Sequence, residues 1–277
     1  MSAHVGSSPV AQAIGQRLAS KELLGAISAL AREAGEAVLR IYAEPFDVVH
    51  KTDKSPVTEA DHAAEAIILE GLKELTPDLP VIAEEEMAAG REPDTSGKVF
   101  WLVDPLDGTK EFVKKNGEFT VNIALVANGH PVLGVVLQPA TGTMWRGLNA
   151  GEQPYAECLR GDQPARRIAT RPPPEDGITV FASRSHGSYH DPELEGFLDR
   201  FRIGTRRQAG SSLKFCLVAA GDADLYPRFG PTMEWDTAAG QAVLEAAGGR
   251  MTTPDGKPFL YGKPGFRNGN FVAQGWR

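Results

Sequence analysis

The chain has 277 residues, 42% of them hydrophobic, and a formal net charge of −7 at pH 7. This length and apolar content suffice for one large domain or two tightly packed subdomains. The excess of acidic residues argues against a nucleic-acid polymer as partner, because binding to a phosphate backbone relies on an excess of Lys and Arg. It does not exclude a small phosphorylated substrate whose charge is offset by metal ions.

The sequence shows no pattern typical of membrane insertion or export. No apolar run approaches the roughly 18 residues that a membrane span requires, and the N-terminus lacks the charged-then-apolar pattern of a signal peptide. Residues 1–20 are small, polar and Gly-containing, which predicts a flexible tail. Cys158 and Cys216 lie far apart without metal-ligand spacing, so we expect reduced, buried or inert thiols.

We therefore expect a cytoplasmic protein without a transmembrane segment. Peripheral attachment to the cytoplasmic face of the inner membrane stays open, although no basic amphipathic helix in the sequence supports it. The oligomeric state is likewise left open by the sequence.

Apolar residues at helical spacing predict four helices. They cover residues 21–43, 61–75, 211–220 and 235–247. Ser211 or Ser212 is expected to cap the third helix, and Gly248-Gly249 is expected to end the fourth.

Short runs rich in apolar and β-branched residues predict strands. They cover residues 80–83, 99–103, 119–127, 132–138 and 178–182. The segment Ala-Asn-Gly-His-Pro between the third and fourth run is typical of a hairpin. The composition shifts at residues 150–175, which include the rigid connector Arg171-Pro-Pro-Pro174. We therefore predict an N-terminal αβ subdomain over 21–150 and a C-terminal αβ subdomain over 151–277.

The most informative segment is residues 101–112, in which Asp104 and Asp107 stand three residues apart. They follow the apolar run 99–103, typical of a buried strand, and precede Gly108-Thr109, typical of a turn that ends a strand. Two acids at the end of a strand suit a hard cation that prefers oxygen ligands. The backbone N–H groups of the turn would face the same point and could hold a phosphate oxygen. The segment therefore predicts a metal-dependent phosphatase.

Acidic residues recur at the ends of predicted elements, namely at Asp61, Glu84, Asp104, Asp107 and Asp236. Each has an ordinary structural interpretation when taken alone. Acids at helix starts complement the helix dipole, an Asp-Gly step is common turn chemistry, and three consecutive glutamates are typical of a solvated run. Their recurrence favours a site, because open α/β folds build sites at element ends. Periodicity does not show that they converge in space.

The motif Asp104-Pro-Leu-Asp-Gly-Thr109 together with Trp235-Asp236 resembles the inositol monophosphatase superfamily. The spacing agrees, since Asp61 lies 23 residues before Glu84 and Glu84 lies 20 before Asp104. Longer segments resemble the CysQ-type 3'(2'),5'-bisphosphate nucleotidases more than the inositol phosphatases. They are residues 104–126, 210–230 and 235–249, with support from Ser55-Pro-Val-Thr-Glu-Ala-Asp61 and Ser183-Arg-Ser-His186.

The resemblance covers about residues 21–270 and departs from the family in three places. Ala83 precedes Glu84 where the family usually has Gly or Ser, residues 1–20 match nothing, and residues 146–175 match weakly. The fold that the resemblance implies is α/β, in the layered αβαβα arrangement of the sugar phosphatases, with the site between two packed halves.

The resemblance also implies a role for each matching residue. The ligands of two or three Mg²⁺ ions would be Glu84, Asp104, Asp107, Asp236 and the backbone carbonyl of Leu106. Asp61 would pair with the Thr109 hydroxyl to activate water at the metal, so no phosphoenzyme is required. The amides of Gly108 and Thr109 would steady the phosphate, and Li⁺ would inhibit by occupying a Mg²⁺ position.

Four residues fall where the nucleotidase subfamily contacts its nucleotide: His186, Ser211, Lys214 and Arg228. Three of them also have a simpler interpretation: Ser211 as a helix cap, Lys214 on a solvated face, and Arg228 paired with an acid. For His186, only the resemblance indicates a contact. The chemical argument for Lys214 and Arg228 is that the phosphate that is not cleaved needs a cationic partner.

The expected function is Mg²⁺-dependent hydrolysis of the 3'-phosphate of adenosine 3',5'-bisphosphate to AMP and phosphate, with 3'-phosphoadenylyl sulfate as a second substrate. The substrate is then a small phosphorylated nucleotide. The alternatives are an inositol monophosphatase or another sugar phosphatase on the same metal site, and a non-catalytic phosphate sensor. A sensor would lack a ligand or the Thr–Asp pair, whereas every one of these residues is present.

Overall fold

The structure, a computed structural model, describes residues 19–50, 56–150, 154–161, 163–183 and 192–276. Its α-helices are α1 (Lys21–Ala43), α2 (Glu59–Leu75), α3 (Glu84–Ala88), α4 (Thr109–Val113), α5 (Pro192–Leu198), α6 (Leu213–Ala219) and α7 (Ala238–Ala246). Short 3₁₀ turns cover Pro139–Thr141 and Pro264–Phe266.

The strands form two large sheets and two small ribbons. The seven-stranded sheet contains, in spatial order, β3 (Val81–Ala83), β4 (Val99–Asp107), β5 (Thr120–Ala127), β6 (His130–Gln138), β7 (Thr143–Leu148), β8 (Tyr155–Arg160) and β9 (Arg166–Arg167). The five-stranded sheet has the order β11 (Ile203–Ala209), β10 (Ile178–Ser183), β12 (Leu225–Arg228), β16 (Phe271–Gln274) and β14 (Arg250–Thr252). The ribbons pair β1 (Val49–His50) with β2 (Pro56–Val57) and β13 (Thr232–Met233) with β15 (Arg267–Asn268).

The elements stack in five layers, which confirms the predicted αβαβα arrangement. Helices α1 and α2 pack on one face of the seven-stranded sheet around Leu24, Ile27, Ile68 and Trp101. The other face meets α6 and α7, and the same apolar cluster continues into the five-stranded sheet. Helix α5 covers the outer face of that second sheet. Helices α6 and α7 thus form the layer between the two sheets.

The long first helix follows directly from its sequence. Ser20 accepts the N–H of Leu23 at 3.1 Å as N-cap, and the buried residues recur at helical spacing along one face. The predicted range of 21–43 is confirmed.

The predicted hairpin between β5 and β6 is also confirmed. Asn128 and Gly129 both have positive φ, at 51° and 79°, as a two-residue turn between twisted strands requires. Cys158 and Cys216 are buried free thiols, as expected. No helix in the described part of the chain is both long and apolar enough to cross a bilayer.

Strand β4 runs further than the sequence pattern predicted. It continues from Val99 through the acidic motif to Asp107 instead of ending at Val103. Between Asp104 and Asp107 it advances three residues while β5 advances two, from Asn122 to Thr120, so the strand contains a β-bulge. The prediction missed this because a Pro and two acids interrupt the apolar pattern.

Two predicted helix starts and one run interpreted as solvated need correction. The fourth helix begins at Ala238 and not at Trp235, because Asp236 lies in a turn where its carboxylate accepts the N–H of Met233. The third begins at Leu213, and its N-cap Ser212 makes no capping hydrogen bond with its side chain. Glu84-Glu85-Glu86 is the first turn of α3 and not a solvated run, since Glu85 is buried.

Two glycines allow α7 to lie close against the seven-stranded sheet. Gly134 and Gly147 are register partners on β6 and β7. A Cβ on Gly134 would lie 2.5 Å from the Ala239 carbonyl oxygen, and one on Gly147 would lie 2.6 Å from the Val243 Cα. Because those contacts involve helix backbone, a side chain at either position would displace α7.

We predict that Gly134→Ala lowers the free energy of unfolding by about 1–3 kcal/mol, the range for overpacked cores. Gly25→Ala is the matched control, since Gly25 is exposed on α1 and a Cβ there meets nothing within 4 Å. It should stabilise the protein by about 0.5–1 kcal/mol through helix propensity. Urea denaturation of both variants measures the difference, and equal stabilisation would contradict the packing argument.

Candidate active site

The β4 bulge brings two carboxylates of the central motif to one face of the sheet. In a regular strand, residues three apart point to opposite faces. The extra residue changes this, as the packing shows: Leu102 contacts the cluster between the sheets, whereas Leu106 packs with Val103 on the α1/α2 side. Asp104 and Asp107 therefore both face the layer between the sheets.

Asp104 lies at the centre of the acidic group and is 1% exposed. Its Oδ1 accepts the N–H of Leu106 at 3.0 Å, which closes a turn over Pro105. Burial raises the pKa of Asp104 well above its usual value, and repulsion from Glu84, Asp107 and Asp236 raises it further. A buried carboxylate in this setting is costly unless a cation compensates it.

Asp107 is held by the start of α6. Its Oδ2 accepts the N–H of Ser212 at 2.6 Å. Burial raises the pKa of Asp107 to about 6, although the nearby Lys214 ammonium and the Ser212 N–H both act in the opposite direction. The carboxylate therefore has a cation on one side and repelling acids, Glu111 and Glu84, on the other.

Asp236 reaches the same region from the turn before α7. Its Oδ2 accepts the Met233 N–H at 2.8 Å. Burial raises its pKa well above the usual value, with further contributions from Asp107 and Glu84. The turn that presents it is fixed by Glu234, which is fully buried and accepts the N–H groups of Gly262 and Lys263 at 2.8 and 2.9 Å. Glu234 is not among the residues predicted from the sequence.

Glu84 is the first residue of α3 and is partly buried. Its repulsion contributes to the raised pKa values of Asp61, Asp104, Asp107 and Asp236, which places it within electrostatic range of all four. The predicted acids therefore lie in one region.

Asp61 and Thr109 form the predicted pair. The Thr109 hydroxyl lies 3.3 Å from Asp61 Oδ1 and equally far from the Leu106 carbonyl oxygen. Asp61 Oδ2 accepts both the N–H and the hydroxyl of Thr58, at 2.7 and 2.8 Å, in a capping box that starts α2. These bonds hold the carboxylate so that Oδ1 faces Thr109.

The pKa of Asp61 suits a proton acceptor near neutral pH. The side chain is 1% exposed, and burial raises its pKa to about 7 despite the two hydrogen bonds from Thr58. Efficient general bases have pKa values close to the working pH.

The acidic group fits a hard divalent cation by the chemistry of its donors. It offers only oxygen ligands, and three of its carboxylates have pKa values raised by burial and mutual repulsion. Within the described ranges, no three or more His, Cys, Asp or Glu side chains are arranged so that they could hold a metal ion. One oxygen each of Asp104, Asp107 and Asp236 is bonded to a main-chain N–H.

Gly108 connects the acidic motif to α4 through a left-handed conformation, with φ of 89°. A Cβ at this position would lie 3.2 Å from the Glu118 carbonyl oxygen and 3.3 Å from the Ser211 Cβ. Only glycine combines this φ with so close an approach. The Gly108 backbone therefore lies directly against the Ser211 turn.

Ser211 has an unusual conformation beside this loop. Its φ is 46°, a value that few non-glycine residues adopt, and its buried hydroxyl has no hydrogen-bond partner among the described residues. The neighbouring Ser212 hydroxyl, by contrast, bonds to Asn122 Oδ1 at 2.7 Å and to the Thr120 hydroxyl at 2.8 Å. Strain and an unpartnered polar atom at one residue are features of functional positions.

Lys214 is buried at 4% exposure, which rules out the solvated face considered for it. Its ammonium donates to the carbonyl oxygens of Ala209 and Ser211 at 3.1 and 2.6 Å. Burial lowers its pKa to about 8, and attraction to Asp107 acts in the opposite direction. Lys214 therefore holds the Ser211 turn from within and offsets part of the acidic charge.

Of the two remaining predicted substrate residues, the structure describes Arg228. Arg228, at the end of β12, is 7% exposed and donates to the Pro231 carbonyl oxygen at 3.1 Å. Its charge acts on both Lys214 and Asp236, so it lies within range of the acidic group. His186 lies outside the described residues, and its role stays a prediction.

Glu65 is a second residue that sequence reasoning missed. It lies one helical turn after Asp61 on α2, is 4% exposed, and accepts the N–H groups of Glu85 and Glu86 at 2.8 and 3.0 Å. A signal was available, because a Glu four residues after the predicted catalytic Asp lies on the same helix face.

Comparison with known proteins gives a consistent result. The sequence model of the Inositol monophosphatase family matches residues 19–276. The 3'(2'),5'-bisphosphate nucleotidase CysQ of Escherichia coli K12 is 49% identical over 253 residues, which are 88% of this chain and 98% of that protein. The protein of the same name from Buchnera aphidicola is 40% identical over 258 residues, covering 91% of this chain and 94% of that one.

Solved structures agree with these sequence matches. CysQ from Bacteroides thetaiotaomicron, described as a bacterial member of the inositol monophosphatase family, has a TM-score of 0.77 and 37% identity, covering 93% of this chain and 98% of that one. An inositol monophosphatase from Anabaena has a TM-score of 0.71 and 26% identity, covering 92% and 91%. With its layered fold, its acidic group and the match over nearly its whole length, this chain belongs to the inositol monophosphatase family.

Proposed function

We propose that this protein is a Mg²⁺-dependent 3'(2'),5'-bisphosphate nucleotidase that removes the 3'-phosphate of adenosine 3',5'-bisphosphate, leaving AMP. 3'-Phosphoadenylyl sulfate is the proposed second substrate. The observation that carries the proposal is the acidic group beside the Asp61–Thr109 pair, in a chain 49% identical to a nucleotidase over 98% of that relative's length.

The residues proposed to hold Mg²⁺ are Glu84, Asp104, Asp107, Asp236 and the carbonyl oxygen of Leu106. Mg²⁺ supplies charge neutralisation for the phosphate and lowers the pKa of water at the site. The repulsion that raises the carboxylate pKa values supports this assignment, because a divalent cation would relieve it. The number of ions, two or three in the family, is part of the proposal, as is competition by Li⁺.

Asp61 and Thr109 are the proposed proton-transfer residues. The Thr109 hydroxyl donates to Asp61 Oδ1 and can then accept a hydrogen bond from the attacking water. As the water oxygen bonds to phosphorus, its proton moves to Thr109 and the threonine proton moves to Asp61. The bond between phosphorus and the 3'-oxygen breaks on the opposite side, and the 3'-oxygen takes a proton from solvent water, so the nucleotide leaves with a 3'-hydroxyl. Asp61 then returns its proton to solvent.

The proposed substrate contacts surround Gly108. The amides of Gly108 and Thr109 would hold the phosphate that is cleaved, and the unpartnered Ser211 hydroxyl lies beside them. Arg228 is the proposed partner of the second phosphate. Lys214 adds positive charge near Asp107, although its own hydrogen bonds go to backbone carbonyls. His186 completes the proposed set by family resemblance alone.

The test of the proposed function compares phosphate release from adenosine 3',5'-bisphosphate, inositol 1-phosphate and fructose 1,6-bisphosphate with Mg²⁺. We expect the nucleotide to have the largest kcat/KM, EDTA to abolish turnover, and Li⁺ to inhibit. A preference for either sugar phosphate would be consistent with the proposed metal site but would overturn the proposed nucleotide substrate. No release from any of the three would overturn the enzymatic assignment.

Asp104→Asn should lower kcat by at least about 10³-fold, since it removes a charged ligand from the centre of the acidic group. The same change relieves repulsion, so thermal unfolding without Mg²⁺ should occur at an unchanged or higher temperature. Asp199→Asn, at an exposed position directly after α5, is the control for loss of one negative charge. Normal turnover by Asp104→Asn would remove Asp104 from the ligand set.

Thr109→Ala should lower kcat by about 10²–10⁴-fold, the usual contribution of a proton-transfer group. The Mg²⁺ concentration for half-maximal rate should change little, because the threonine hydroxyl is not a proposed ligand. Thr109→Ser keeps the hydroxyl and should retain most of the activity. If Ser were as inactive as Ala, or if Mg²⁺ dependence shifted as much as kcat, Thr109 would have a structural role instead.

A further inference from the structure

The short helix α3 carries the proposed ligand Glu84 but has little stability of its own. It spans five residues, and its N-cap is Ala83, whose side chain makes no capping hydrogen bond. The first turn of any helix leaves N–H groups without a partner inside the helix. A helix this short also does not persist without tertiary contacts. The position of Glu84 therefore depends on what satisfies the first turn of α3.

Glu65 supplies that contact from a different helix. Its Oε2 accepts the Glu85 N–H at 2.8 Å and its Oε1 accepts the Glu86 N–H at 3.0 Å, so both carboxylate oxygens bind the first turn of α3. The side chain is 4% exposed. A buried, bidentate carboxylate at a helix N-terminus restricts both the position and the direction of that helix.

Glu65 and Asp61 lie four residues apart on α2 and so share one face of that helix. Asp61 faces Thr109, whereas Glu65 binds the helix of Glu84. One rigid helix therefore connects the proton-transfer pair to the proposed ligand. The other three proposed carboxylate ligands lie on β4 and in the turn before α7.

We infer that Glu65 is a positioning residue that sets Glu84 for Mg²⁺ binding and fixes its distance from the Asp61–Thr109 pair. The inference rests on the proposed function, because it assigns the role through the metal site. Glu65 binds backbone N–H groups of α3 and is proposed as a ligand of neither the metal nor the substrate.

The chemistry of Glu65 supports a specific role over general stabilisation. Burial raises its pKa to about 7, and repulsion from Glu85 and Glu86 contributes, against the two N–H groups that lower it. An acid this poorly solvated is a costly choice where an apolar residue would pack as well. What an apolar residue cannot do is accept two N–H groups from α3.

The test is Mg²⁺ binding by titration calorimetry on the full chain without substrate, with kcat and KM measured separately. Glu65→Gln keeps the shape but places an amide NH₂ against one of the two N–H donors. We expect Mg²⁺ to bind about 10–100-fold more weakly, the range for lost second-layer partners of a metal site. At saturating Mg²⁺, kcat should fall much less. Glu70→Gln, on an exposed part of α2, should bind Mg²⁺ as the wild type does.

Glu65→Asp separates position from charge. It keeps the carboxylate but is one methylene shorter, so it cannot reach both N–H groups in the same geometry and should also weaken Mg²⁺ binding. Thermal unfolding without Mg²⁺ identifies a merely structural role. If both variants lost thermal stability but bound Mg²⁺ with wild-type affinity, the inference would be overturned.

The nucleotidase assignment has a separate readout in this experiment. Wild-type protein that binds Mg²⁺ but does not hydrolyse adenosine 3',5'-bisphosphate would overturn the proposed function, while weaker Mg²⁺ binding by Glu65→Gln would still support the positioning role.

Discussion

The site depends on repulsion between carboxylates that the fold brings together in a buried layer. Asp104, Asp107 and Asp236 each have a raised pKa because burial and neighbouring acids penalise their charged forms. Stability alone would not favour such an arrangement, since unpaired buried charges are among the costliest features of a folded chain. Its chemical meaning is a demand for positive charge, which a divalent cation would meet. Much of the surrounding structure serves to hold these acids where they would otherwise separate.

Backbone N–H groups, more than side-chain ion pairs, hold these three acids in place. Asp104 accepts the N–H of Leu106, Asp107 that of Ser212, and Asp236 that of Met233. Main-chain donors fix direction without neutralising the charge, so each carboxylate keeps its affinity for a cation. There are two exceptions: Arg228 places a buried cation within range of Asp236, and Lys214 places one near Asp107. The Lys214 ammonium also donates to two carbonyl oxygens of the Ser211 turn. Its contribution to phosphate binding would therefore act both through its charge and through the position of that loop.

Elements with strong local signals could be predicted from the sequence, and those that depend on distant partners could not. Helix α1 has both a Ser N-cap and an apolar stripe, and the Asn128-Gly129 hairpin has the turn residues that its geometry needs. The three glutamates of α3, in contrast, form a run that is typical of a solvated surface. The groups that stabilise this helix belong to Glu65 on α2, so the local sequence does not indicate them. The β4 bulge was hidden for a similar reason, as register depends on the neighbouring strand.

The sequence by itself determined the family and the chemistry of the candidate site, namely which acids and which hydroxyl are proposed to act in it. These are properties of residue type and order, and they follow from the sequence without knowledge of where the helices and strands lie. Only the tertiary structure decided how the residues act together. A strand that alternates regularly would turn Asp107 away from Asp104, and the bulge opposite Asn122 turns it back. Gly134 and Gly147 leave space for α7 to approach the sheet, and Glu65 joins α3 to the helix of Asp61. Each of these depends on contacts between segments far apart in the chain, which no local pattern contains.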